Sequence, residues 1–97
     1  MNKFQEWDSF ASDLERYIEN DLKCGDFIGR WSNASPEIAQ ILFNVNHLLA
    51  DEDIRKSSAE YRLMQENEAR KLIKHLRLHS NIEDILKIGF LQKSDLT

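Results

Sequence analysis

The sequence predicts an all-α fold: a compact bundle of three main helices plus shorter ones, in a single domain over residues 1–97. Three observations lead there. Gly and Pro together number four among 97 residues, about a third of ordinary usage, too few for the many turns of a sandwich or barrel. Leu and Ile supply more than half of the apolar residues, while Val and Thr occur once each. Apolar positions also recur at steps of three and four, the spacing of one helix face.

The elements follow in order. Residues 3–23 read as a first helix, with Phe4, Trp7, Phe10, Ala11, Leu14, Tyr17, Ile18 and Leu22 on one face. Cys24-Gly25 is the expected stop, since Gly suits a left-handed cap. Residues 26–31 read as a helical turn whose Phe27, Ile28 and Trp31 close one end of the core, and residues 32–35 as a loop. Ser35-Pro36-Glu37 is a helix start: a hydroxyl acceptor, a proline suited to the first turn and a carboxylate that complements the dipole. The second main helix runs to about Ala50, with Ile38, Ile41, Leu42, Val45, Leu48 and Leu49 as its main face. Phe43 lies almost opposite, the pattern of a helix central in a bundle. A third helix starts at Asp53 or Ser58 and reaches Leu78, with Tyr61, Gln65, Ala69, Leu72, Ile73 and Leu76 in line. Ser80-Asn81-Ile82-Glu83 fits a capping box. It opens a short helix carrying Ile82, Ile85, Leu86 and Phe90, and residues 92–97 are expected to fray.

Composition also excludes function classes. Cys24 is alone, so there is no disulfide scaffold. No apolar run approaches the roughly 18 residues of a membrane span. The opening stretch Met1–Asp8 turns acidic at once and has no apolar core segment, and with a single thiol the expectation is a cytoplasmic protein. The net charge is −4 and uneven: residues 1–53 carry 11 acids and 4 bases, residues 54–97 carry 6 acids and 9 bases. A net acidic domain is a poor general binder of nucleic acid but a good one of a basic protein.

Three candidate sites stand out. On the first helix Asp8, Glu15 and Glu19 share a stripe. With Asp51, Glu52 and Asp53 they can present an anionic surface to a basic partner. Alternatively, they pair with the basic stripe Arg70, Lys74 and Arg77 of this chain. His75 and His79 have the spacing of a helical metal pair, but no glutamate follows the first His and the neighbouring cations oppose a metal. The stretch 70–77 is basic, but its apolar positions belong to the core stripe. For catalysis there is no nucleophile context around Cys24, no phosphate-binding Gly-rich loop, and Asp51-Glu52-Asp53 lacks the spacing of a calcium loop. The expectation is therefore a non-enzyme without cofactor or metal.

Residues 44–73 carry a resemblance. Asn44-Val45-Asn46-His47-Leu48-Leu49-Ala50-Asp51-Glu52-Asp53-Ile54-Arg55, followed by Glu60-Tyr61-Arg62-Leu63-Met64-Gln65, resembles small all-helical bacterial proteins encoded beside polymorphic toxins. These are similar to colicin-type and contact-dependent growth inhibition immunity proteins, and the match spans about a third of the chain. The resemblance implies a protein that binds one cognate toxin domain and blocks it, with carboxylates set against the Lys and Arg of a basic nuclease such as a tRNase. The candidate partner-binding residues are Asp51, Glu52, Asp53, Asp8, Glu15, Glu19, Phe43 and His47, with Phe43 or Trp31 as buried anchor. Arg55 is expected to pair with Asp51 or Glu52 at the turn, Tyr61 and Met64 to face the core or its edge, and Asn44 and His47 to hydrogen-bond across the bundle. Free, the chain is expected to be a monomer or weak dimer. The rival readings are a small helical adaptor or homodimeric module without a toxin partner, and a regulator that lays its third helix on nucleic acid.

Overall fold

Helix α1, Lys3–Ile18, buries the stripe Trp7, Phe10, Ala11, Leu14, Tyr17 and Ile18. The computed structural model describes residues 3–87. Five further helices follow: α2 Cys24–Trp31, α3 Pro36–Ala50, α4 Glu52–Ser57, α5 Ala59–Arg77 and α6 Ile82–Leu86, with no strand among the described residues. The fold is all-α, as the sequence predicts. Phe90 and the end, 92–97, lie outside the described residues.

The first helix stops five residues earlier than its apolar pattern suggests. Asn20 adopts a left-handed φ of 64°. Its amide donates to the Tyr17 carbonyl at 3.1 Å, and the Asp21 amide to the Arg16 carbonyl at 2.7 Å, the paired bonds of a Schellman cap. Leu22 kept the three-and-four spacing beyond this break, which is why periodicity overran it. Gly25, the expected stop, sits inside α2 and has no left-handed backbone. Helix α5 closes in the same way through His79, φ 55°, with bonds from the His79 amide to Leu76 and the Ser80 amide to His75. Such caps usually add an apolar contact between the residues flanking the bend. Here both contacts are polar: Arg16 Nε lies 3.2 Å from Asp21 Oδ2, and His75 Nδ1 lies 3.1 Å from Ser80 Oγ.

The helix starts follow their chemistry. Ser35 Oγ accepts from the Ile38 amide at 3.4 Å, with Pro36 in the first turn. Ser35 also donates its own amide to Glu6 Oε2 at 3.0 Å, tying the loop to α1. Of the two expected starts of the third helix, Ser58 is the one realised: α5 begins after Ser58 (φ −137°, ψ 111°), whose hydroxyl accepts from the Tyr61 amide at 3.2 Å, and residues 52–57 form the separate α4. A hydroxyl cap of this type contributes about 1 kcal/mol. The expected capping box at 80–83 is replaced: Asn81 caps α6 by accepting from the Glu83 amide at 2.8 Å, because Ser80 is engaged with His75.

Helices α1 and α5 make the most extensive pair. The core between them and α3 is closed by Phe27 of α2 and Ile85 of α6. Phe10 stacks edge-on against Trp31, centroids 5.1 Å apart, and tilts against Phe27 at 5.5 Å. Asp13 fastens α2 to α1: its carboxylate accepts from Arg30 Nη1 at 2.8 Å and Trp31 Nε1 at 2.9 Å. Ile28, expected over the core with Phe27 and Trp31, is instead substantially exposed. The indole N–H of Trp7 is buried without a partner among the described residues. This leaves the cost of an unmade hydrogen bond, roughly 1–3 kcal/mol, to be offset by burying the ring.

Candidate functional site

The acidic turn after α3 leads into a polar network inside the bundle. Gln65, on the core stripe of α5 and only 1% exposed, stands at its centre. Its Oε1 accepts from Arg55 Nη1 at 2.7 Å, and its Nε2 donates to Asp51 Oδ2 at 3.0 Å and to the Tyr61 hydroxyl at 3.2 Å. Tyr61 donates to the same Asp51 oxygen at 2.6 Å. Arg55 also donates to the Leu48 carbonyl and, through Nη2, to the Tyr17 hydroxyl at 2.6 Å, while Tyr17 donates to Glu52 Oε2 at 2.9 Å. The Arg55 guanidinium lies over the Tyr17 ring at 5.6 Å. One arginine on the six-residue α4 thus binds the ends of α1, α3 and α5.

The electrostatics agree with a closed network. The bond to Asp51 is the main reason that the Tyr61 phenol is pushed up to about 12, with burial and the Asp51 charge adding to it. Burial chiefly raises the Tyr17 phenol, against the opposing pull of the Arg55 charge. Both phenols therefore act as donors throughout the neutral range.

The predicted partner-binding residues divide into three groups. Asp51 and Glu52 are turned into the network, whereas Asp53 of α4 is exposed. Arg55, expected against Asp51 or Glu52, reaches them only through Gln65 and Tyr17. The stripe Asp8, Glu15, Glu19 faces α5 and the turn that closes it: Asp8 meets His79 at 3.1 Å, Glu15 meets Arg77 at 3.0 Å and Glu19 meets Arg70 at 3.8 Å. The partners run in opposite sequence order, so α1 and α5 are antiparallel. The Arg77 hydrogen bond, helped by the charges of Arg77 and Arg70, holds the Glu15 carboxyl below its ordinary range despite some desolvation. The alternative in which the stripe pairs with Arg70, Lys74 and Arg77 is thus realised for Arg70 and Arg77; Lys74 makes no ion pair among the described residues, and Asp8 takes His79 instead. At the exposure of these side chains the two arginine pairs contribute about 0.2–1 kcal/mol each.

Phe43 and His47 form the third group, on the outward face of α3. Phe43 is 70% exposed, so α3 is not buried on two sides. One turn further along, Asn46, His47, Leu49 and Ala50 form one wall of a groove whose other wall is Cys24 and Ile28 of α2. Ile28 is 43% exposed. Trp31, the other proposed anchor, is half-buried and committed to Asp13 and Phe10. Asn44 donates Nδ2 to the Leu86 carbonyl at 3.3 Å, a bond across the bundle as the sequence suggests. Met64, expected at the core or its edge, is largely exposed.

His75 and His79 do not converge on a shared ligand. His75 is held by Ser80, while His79 stacks on Phe4 with centroids 4.2 Å apart and reaches Asp8. Among the described residues no group of three His, Cys, Asp or Glu side chains could hold a metal ion. No helix among them is long and apolar enough to cross a membrane. Sequence reasoning missed Asp13 and Gln65 as structural hubs. Gln65 had a signal, a polar residue in line with an apolar stripe; Asp13 had none until α2 was placed. Comparison with protein-family models, curated proteins and solved structures found no match.

Proposed function

We propose that this chain is an immunity protein: a cytoplasmic, non-enzymatic inhibitor that binds one cognate bacterial toxin domain and blocks it by occluding its active site. The observation that carries the reading is Phe43, a phenylalanine 70% exposed on α3, one turn from the apolar groove between α2 and α3. Isolated exposed apolar residues are ordinary, but an aromatic ring next to an apolar groove has the character of a binding anchor. The resemblance over residues 44–73 supplies the kind of partner. A net charge of −4 suits a toxin that is basic because it handles RNA, such as a tRNase. The polar network behind α4 supports the reading by holding α3 and the exposed Asp53 in one geometry, so that little ordering has to accompany binding. Charge then speeds encounter, while the anchor slows release.

The test is co-expression with the toxin encoded beside this gene, together with binding by calorimetry. Protection and one-to-one binding are expected. Phe43→Ala should weaken the complex by about 2 kcal/mol or more, as for a hot spot. Cells that die as fast as controls would sink the reading. The same apolar surface also fits a second copy of this chain, a homodimeric module without toxin. That reading requires a mass in solution that rises with concentration and falls back in Phe43→Ala.

A further inference from the structure

A cleft of about 660 Å³ opens where the C-terminal end of α1, the start of α2, α4 and α5 meet. Four cations line it from separate elements: Lys23 before α2, Arg55 and Lys56 on α4, and Arg62 on α5. Two carboxylates face them. Glu52 already accepts from the Tyr17 hydroxyl, and Glu66 stands at 3.9 Å from Arg62. Arg55 is committed to Gln65, Leu48 and Tyr17. The side chains of Lys23 and Lys56 make no hydrogen bond or ion pair among the described residues. In a chain of net charge −4, this concave surface therefore carries uncompensated positive charge. Elsewhere Arg70 and Arg77 spend theirs on α1.

We propose that this cleft binds a small organic phosphate, with Lys23, Lys56 and Arg62 as ligands of the phosphate group. Cations drawn from three separate elements suit a tetrahedral anion better than a flat carboxylate, which pairs best with one planar fork. Lys23, Cys24 and Gly25, at the start of α2, form one wall of the cleft. Lys23 is the cap residue of α2 and makes no side-chain capping bond. Gly25 presents open space where a side chain would stand. Asp26, in the same first turn, does not line the cleft. Ile18, Leu22 and Cys24 supply apolar surface beside the cations, which suits a ligand with an organic body rather than a bare ion. The site lies apart from Phe43 and does not depend on the toxin reading.

The experiment is an amide NMR titration of the full chain with inorganic phosphate, AMP, adenosine and citrate, each against sodium chloride at matched ionic strength. AMP should shift the amides of Lys23, Cys24 and Gly25 and the Arg62 side chain saturably, and bind more tightly than phosphate. Adenosine and citrate should do no more than chloride. Lys23→Gln and Lys56→Gln should each weaken AMP by about tenfold, the effect of losing one charge-assisted hydrogen bond, without moving the melting temperature. Equal binding of phosphate and AMP would reduce the site to an inorganic-anion site and overturn the assignment. So would binding of citrate or adenosine as tight as that of AMP, shifts no larger than with chloride, or unchanged affinity in Lys23→Gln and in Lys56→Gln.

Discussion

Arg55 and Asp51 belong to one polar network, yet they are joined through the Gln65 amide, which accepts from Arg55 at 2.7 Å and donates to Asp51 at 3.0 Å. The arrangement keeps a guanidinium and a carboxylate both satisfied at the edge of the core. It also makes the interior glutamine the residue on which the α3–α4–α5 corner depends. Gln65→Leu, of similar shape and apolar, should lower stability by about 2–4 kcal/mol, because both charged partners lose a hydrogen bond where water has limited access. Urea denaturation reads this, and at this chain length each kilocalorie moves the melting temperature by roughly 4–8 °C. Combined with Arg55→Met, the loss should be smaller than the sum of the two single losses. Strict additivity would show that the network is not coupled.

The Tyr61 phenol predicts alkaline behaviour. Its proton is held to about 12 in the fold, against about 10 in an unfolded chain. Between these values the unfolded state binds fewer protons, so stability is full below about pH 10 and falls as pH rises towards 12. Denaturation midpoints taken across that window should decline less steeply in Tyr61→Phe than in the parent. Ultraviolet titration should show delayed ionisation of Tyr17 as well, since burial also raises that phenol. Both tyrosines ionising near pH 10 in the folded protein would contradict the network.

Asn20 holds a left-handed backbone that only glycine adopts without steric cost. Asn20→Gly should be neutral or stabilising by up to about 1 kcal/mol, while Asn20→Val should cost about 1–2 kcal/mol, as read by thermal melts. His79→Gly relieves the same backbone cost at the end of α5 but loses the stack on Phe4 and the contact with Asp8, so it should gain less than Asn20→Gly. A larger gain at His79 would mean that the ring contacts contribute nothing.

Asp13 accepts from both Arg30 and Trp31. Asp13→Ala leaves the indole N–H of Trp31 without its acceptor and should cost about 2–3 kcal/mol. Trp31 fluorescence should also report loosening of α2. Unchanged emission with unchanged stability would show that α2 is held by the packing of Phe27 and Trp31 rather than by Asp13.

Phe43→Ala should leave unfolding free energy within about 0.5 kcal/mol of the parent, since the ring is mostly in water already. Combined with loss of partner binding, that outcome separates an interface role from a core role. A loss of several kilocalories would return Phe43 to the core.

The faces of α1, α3 and α5 were legible in the sequence because burial imposes its period on the chain. Ser35-Pro36 was legible because capping is local chemistry. The end of α1 was not, because Leu22 continues the apolar period while the left-handed turn at Asn20 leaves no mark on it. The partners of Arg55 were not legible either. Its carboxylate neighbours in sequence were the natural expectation, but Gln65 and Tyr17 stand ten and thirty-eight positions away.

The sequence by itself determined an all-helical chain, the apolar stripes of its helices and an acidic first half set against a basic second half. All of these follow from composition and spacing along the chain. Only the tertiary structure decided what the charges do. Packing α1 antiparallel on α5 brings Glu15 to Arg77 and Glu19 to Arg70, and docking α4 on three helix ends turns Asp51 and Glu52 inward. The physical reason is that a helix period says which residues share a face, whereas a charge acquires its partner only when another helix is laid across that face.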